Sequence, residues 1–195
     1  MRSVVTKTYD APEIREKEIL RYAGVKKADE ALLSMLRECI NDARDALSYK
    51  VCYYEVPFSL SDGKCDFSHF STNSKSLAKN LSGCDSVIVF AATVGIGIDR
   101  LIHKYSKLSP AKALIFQAIG AERIEALCDA FEEDIKSHGK ATRNRFSAGY
   151  GDAPLEIQKE IFNLLSPQKN IGLTLGDSLL MSPTKSVTAF IGIEK

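Results

Sequence analysis

The sequence predicts an α+β protein, and three observations carry that expectation. The middle of the chain holds long stretches of helical periodicity. Residues 86–93 form an unbroken apolar run that suits a strand buried on both faces, and from residue 171 the chain returns to strand-like periodicity. No strand–helix–strand series repeats along the chain, which argues against a doubly wound parallel sheet.

Residues 1–10, with Val4, Val5, Thr6, Thr8 and Tyr9, suit a strand or an extended arm. Pro12 is expected to open a helix that runs to about Tyr22 and stops at Gly24. Asp29 is placed to cap a second helix, in which Leu32, Met35, Leu36, Cys39, Ile40, Ala43 and Leu47 recur at helical spacing. Residues 1–50 thus read as a helical N-terminal part. Residues 51–58 are rich in β-formers and read as a strand, and residues 61–64 supply turn chemistry. Phe67, Phe70 and Leu77 then lead into a short amphipathic helix that ends near 80–83.

After the buried strand come Gly95 and Gly97 and a helix to about Lys107. Ser109 and Pro110 open the longest helix, which is stopped by Gly139. Its apolar side carries Ala118, Ile119, Ile124, Leu127, Cys128, Phe131 and Ile135. Its other side is acidic, with Glu122, Glu125, Asp129, Glu132, Glu133 and Asp134, and reads first as a solvated face. A polar connector (140–144) and a loop (145–154) precede a helix over 155–165. Strands are then expected over 171–175, 179–181 and 186–194; in the last, Val187, Ala189, Ile191 and Ile193 alternate with Thr188, Phe190, Gly192 and Glu194. Without internal repeats or low-complexity linkers, residues 1–195 read as a single domain.

Apolar residues at 45% and charged residues at 26% describe an ordinary globular chain, and a net charge of +1 gives no electrostatic case for nucleic acid or an anionic membrane. The longest apolar run, 87–97, is too short to span a bilayer and the N-terminus lacks a signal-peptide core, so a cytoplasmic location is expected. Five scattered cysteines without a Cys-x-x-Cys pair read as buried free thiols. His69, His103 and His138 share no metal-binding spacing, so no metal is assigned.

The richest chemistry lies at 145–154. An arginine fork, Arg145, can take a carboxylate with two parallel hydrogen bonds. Gly149 permits positive φ and close ligand approach, and Tyr150 adds a ring face and a hydroxyl. Asp152 and Pro154 are expected to start the next helix. Composition alone favours a plain turn with a solvated arginine, because Gly/Asp/Pro clusters usually mark turns. Gly95 and Gly97, between a buried strand and a helix, resemble an incomplete nucleotide-binding turn, since Arg100 stands where the third glycine of Gly-x-Gly-x-x-Gly belongs.

Arg145-x-x-x-Gly149-Tyr150, followed by a helix and then by Met181-Ser182-Pro183-Thr184-Lys185-Ser186-Val187, resembles the activation domain of cobalamin-dependent methionine synthase over roughly the last third of the chain. The resemblance implies helices packed on a mainly antiparallel twisted sheet, and S-adenosylmethionine as the ligand. It implies that Arg145 holds the methionyl carboxylate, that the main chain around Ala148 and Gly149 contacts the ligand, and that Tyr150, the residue closest to a catalytic role, lies at the face meeting the corrinoid. It also places one acidic residue on a helix like 110–137, with Glu122, Glu125 and Asp129 all open. Fused family members continue with a segment carrying another ligand-contacting tyrosine, which has no counterpart before Lys195.

The family's chemistry is reductive reactivation. Co(II) cobalamin takes one electron from a reduced flavoprotein and a methyl group from S-adenosylmethionine, which demands alignment more than acid–base groups. None of the three histidines carries the Asp-x-His-x-x-Gly signature of cobalamin binding. The resemblance therefore implies a stand-alone activation subunit, not active alone, with cobalamin reached only through a partner: B12-dependent methionine synthase or another corrinoid protein. Two other classes stay open: a self-contained nucleotide- or S-adenosylmethionine-dependent enzyme using the Gly95/Gly97 loop, and a docking module for a corrinoid protein without ligand binding.

Overall fold

The computed structural model describes residues 3–194. In chain order its elements are β1 (Val5–Tyr9), α1 (Glu16–Tyr22), α2 (Glu30–Arg44), β2 (Tyr49–Pro57), β3 (Ser59–Ser61), β4 (Lys64–Asp66), β5 (Ser71–Asn73), α3 (Lys75–Asn80), β6 (Cys84–Thr93), α4 (Gly97–Leu108) and α5 (Pro110–Ser137). They continue with β7 (Phe146–Ser147), α6 (Ile157–Leu165), α7 (Pro167–Ile171), β8 (Thr174–Leu175), β9 (Met181–Ser182) and β10 (Ser186–Glu194). The protein is α+β, built on a five-stranded sheet in the order β1-β2-β6-β10-β7 whose every pairing is antiparallel.

The period-2 alternation of the central strands feeds two separate cores. Ile88, Phe90 and Ala92 of β6, with Ala189 and Ile191 of β10, point to the face covered by α1, α2, α4 and α5. Val87, Val89 and Ala91, with Phe190, point to the opposite face, covered by α3, α6, α7 and the small β3-β4-β5 meander. This explains why residues 188–192 are all buried although they alternate: both sides of β10 are roofed. Phe131 of α5 packs its ring 4.9 Å from Phe90 and 5.2 Å from Tyr53, fixing the long helix across the sheet. On the other face Phe67 stacks 4.9 Å from Phe190.

Several local signals act as the sequence predicts. The Asp29 side chain accepts from the Leu32 amide at 2.9 Å, Ser109 caps α5 ahead of Pro110, and the N-terminal stretch is an edge strand. The five cysteines are buried free thiols, and burial pushes Cys39 up to about 11 and Cys52 to about 12. No described helix is long and apolar enough to cross a membrane.

Other expectations are corrected. Pro12 does not open α1, which starts only at Glu16; the Pro12 and Glu13 carbonyls instead accept from the Arg123 guanidinium, each at 2.6 Å, so the segment stays extended. The second helix ends at Arg44, short of Leu47. Between Ser59 and Asn73 the chain forms a meander, and the helix is limited to Lys75–Asn80. Ile171 closes α7, a short helix entered through left-handed Ser166, and strand structure there covers only Thr174–Leu175.

The glycines at the start of α4 have a packing reason. A Cβ at Gly97 would lie 2.0 Å from the Ala46 carbonyl oxygen, and one at Gly95 would lie 2.5 Å from Ser48 Oγ, so the Ala46 main chain and the Ser48 side chain occupy the Cβ positions of these glycines. The sheet around this turn is antiparallel, so Gly95 and Gly97 do not sit at the carboxyl end of a parallel βαβ unit, the setting that a dinucleotide fingerprint requires. An alanine in an open helix is about 1 kcal/mol better than glycine. Gly97→Ala is expected to have the opposite sign, with a loss of about 1–3 kcal/mol from overpacking. Urea unfolding measures this, and an unchanged or raised midpoint would contradict the packing of α4 against residues 45–48.

Candidate functional site

The site begins with a stripe on α5. Glu122, Glu125, Asp129 and Glu132 follow one another at helical spacing and therefore share one face. This face is not simply solvated, as the sequence first suggests; three arginines cover it. Arg123, itself buried, donates to Glu122 through Nε at 2.5 Å and Nη2 at 2.7 Å. Arg15 bridges Glu122 and Asp129, each at 2.9 Å. Arg145 gives Nη2 to Glu125 at 2.6 Å and Nη1 to both Asp129, at 2.9 Å, and Glu132. Burial works against the Arg145 charge, but the bonds to Glu132 and Glu125 outweigh it and hold its pKa above the ordinary arginine value.

A guanidinium has five N–H donors. Among the described residues, three of those on Arg145 go to the α5 acids, so two remain for another partner. The acids orient the arginine without exhausting it. Of the three acidic candidates, Glu122 is sealed against Arg123, and Glu125 is the one that lines the adjoining cleft.

The loop after Arg145 is shaped by its own backbone. Gly149 has φ +84 and its N–H donates to the Ala153 carbonyl at 3.1 Å, so it closes a turn. Asp152 does not start α6, which opens at Ile157 without a side-chain cap. It reaches across to α3 instead, accepting from Ser74 Oγ at 2.6 Å, the Lys75 amide at 2.8 Å and the Ser76 amide at 3.0 Å. The bond from Ser74, with those from the Ser76 and Lys75 amides, holds the Asp152 carboxyl well below the usual carboxylate range. Gly151 is required at this junction because a Cβ there would lie 2.6 Å from Ser76 Oγ.

The second motif is held from two sides. Asp99, in the first turn of α4, accepts from the Thr184 amide at 2.8 Å and from Thr184 Oγ1 at 2.5 Å. The Lys185 stem lies over Gly120 of α5, where a Cβ would come within 2.7 Å of Lys185 Cγ. The Ser182–Pro183 peptide bond is cis, and Ser186 Oγ donates to the Pro183 carbonyl at 2.8 Å. The Gly95–Asp99 turn thus anchors the Met181–Val187 segment, a role that sequence reasoning did not assign to it.

The two motifs meet at a sheet edge. Strand β7 pairs with β10 only at Ala189 and Phe190, and beyond its end a cleft of about 400 Å³ opens. Arg145, Phe146, Ala148 and Tyr150 line one side; Met181, Ser186 and Val187 line another; Glu125, Gln158 and Thr188 complete it. Tyr150 is 68% exposed, at the mouth, and Ala148 is buried. Gly149 shapes the turn without lining the cleft. Gln158 and Thr188 carried no sequence signal, because neither belongs to a recognisable motif. A second cleft, about 450 Å³, lies near β1 and the end of α5, but Lys7 and Lys140 there are already paired with Asp134 and Glu55.

An antiparallel α+β scaffold thus carries a polar cleft between an arginine–glycine–tyrosine loop and a cis-proline turn, of a volume within the range of small-molecule pockets. Residues 72–195 match the family model described as vitamin B12 dependent methionine synthase, activation domain, and the chain belongs to that family. Among solved structures, the MetH reactivation domain bound to AdoHcy shares the fold with a TM-score of 0.67 at 14% identity, over 97% of this chain and 78% of that one. No curated protein matches the chain.

The Asp152 bridge generates a test. A carboxyl whose pKa is depressed on folding stabilises above its unfolded value, near 4, and loses that contribution as pH falls through its folded value. Asp152→Ala is therefore expected to lower Tm at pH 7, with the gap to wild type narrowing once pH drops below about 4. A gap that persists unchanged at low pH would show that the carboxylate charge is not what ties the loop to α3.

Proposed function

We propose that this chain is an S-adenosylmethionine-binding unit that supports reductive reactivation of a B12-dependent methionine synthase, or another corrinoid protein, supplied in trans in the cytoplasm. The observation that carries the reading is convergence: Arg145–Tyr150 and Met181–Val187, more than thirty residues apart, line one cleft. Family membership and a fold shared with an AdoHcy-bound reactivation domain support it.

In this reading the two open N–H groups of Arg145 take the methionyl carboxylate as a fork, and Glu125 lies beside the cationic part of the ligand. Two guanidiniums, Arg15 and Arg145, face the three carboxylates Glu125, Asp129 and Glu132, so this part of the site carries one net negative charge. That field favours a sulfonium. Gly149 sets the turn that presents the Ala148 main chain to the ligand, while exposed Tyr150 faces the corrinoid of the partner. The partner's corrinoid, once reduced by a flavoprotein, would supply the nucleophile that accepts the methyl group of S-adenosylmethionine, leaving S-adenosylhomocysteine in the cleft. The chain's contribution is alignment.

Calorimetric titration of S-adenosylmethionine tests this, using wild type, Arg145→Lys and Tyr150→Ala, each with and without a corrinoid-loaded methionine synthase. Wild type is expected to bind. Arg145→Lys keeps the charge but loses the fork, and is expected to weaken binding about tenfold or more. Tyr150→Ala is expected to act mainly when the corrinoid partner is present. Absence of wild-type binding under both conditions would overturn the reading and leave a docking module.

A further inference from the structure

Buried polar side-chain atoms nearly always have a hydrogen-bond partner, so exceptions point to something. Among the described residues three such atoms are unpartnered: Asn80 Oδ1, Gln158 Oε1 and Thr188 Oγ1. The last two line the same cleft, although Gln158 is only 6% exposed and Thr188 only 2%. They come from different elements, the first turn of α6 and the start of β10; α6 packs on the sheet face opposite α5, and Thr188 shares its side of β10 with Phe190, which points to that face. The cleft is therefore chemically divided. Its α5 side presents Arg145 and Glu125; its inner side presents an uncharged carboxamide oxygen and a hydroxyl.

We infer that Gln158 and Thr188 are specificity-determining residues that read the uncharged nucleoside part of the ligand. This rests on the reading of the cleft as an S-adenosylmethionine site. A carboxamide oxygen only accepts, whereas a threonine hydroxyl can donate. Together they match a ligand edge that offers a donor beside an acceptor. The charged amino-acid end of S-adenosylmethionine belongs with Arg145 and Glu125, which leaves the nucleoside for the inner side. Its adenine edge, with an amino group beside a ring nitrogen, and its ribose hydroxyls both carry that donor–acceptor chemistry.

The test uses Gln158→Leu and Thr188→Val, near-isosteric changes that delete the polar atoms. Removing an unpartnered buried polar atom does not cost the apo fold a bond, so Tm is expected to stay level or rise. Affinity for S-adenosylmethionine is expected to fall about tenfold in each variant. The 6-oxo (inosine) and 2′-deoxy analogues then separate base from ribose: the analogue that weakens wild type but not the variants names the group that is read. If wild type binds and both variants bind equally well, or if neither analogue weakens wild type, this inference is wrong while the S-adenosylmethionine reading stands. A lowered apo Tm in both variants would also overturn it, by showing that the atoms serve the fold. Failure of wild type to bind removes both.

Discussion

The structure turns on one arginine held by one face of one helix. Glu125, Asp129 and Glu132 of α5 converge on Arg145, and their spacing makes that possible only because 110–137 is a single unbroken helix. The same acidic stripe runs on to Glu122, where Arg15 and Arg123 tie down the extended segment that follows β1. Asp129 accepts from both Arg15 and Arg145, so the N-terminal segment and the Arg145 loop share a partner. A half-buried network of this kind stabilises only while its charges stay paired, since an unpaired buried carboxylate is costly. It fixes direction: the arginine is held at the edge of the cleft by the α5 acids.

The rest of the cleft is held with similar economy of means. Asp152 pins the far end of the loop to α3 in one layer, while Asp99 and Gly120 pin the Met181–Val187 segment to α4 and α5 in the other. The cleft lies where these layers meet, at the point where β7 stops after two residues and leaves the start of β10 uncovered on that side. Elements of both layers line the cleft, so neither core alone defines it.

How much of this could be read in advance follows from the range of each interaction. Local chemistry was legible: the Asp29 and Ser109 caps, the buried strand β6 and the alternation of β10 depend on neighbours a few residues away. The pairing of the two motifs was legible through family resemblance. What stayed hidden was long-range. The partners of Asp152 on α3 are about 77 residues away in sequence, so an acid that looks like a cap for the next helix caps a distant one. The acidic side of α5 looks solvated because Arg15 lies 107 residues from Glu122. Pro12 failed as a helix start for the same reason, its carbonyl being claimed by Arg123.

The central claim is that the α5 acids orient Arg145 to receive a carboxylate at the cleft. A crystal structure of the protein with S-adenosylmethionine bound tests it most directly. The account predicts the ligand carboxylate on the Arg145 guanidinium, with Glu125 and Asp129 still engaged and the nucleoside toward Gln158 and Thr188. A ligand seated elsewhere, or one in the cleft with its carboxylate turned away from Arg145, would contradict it.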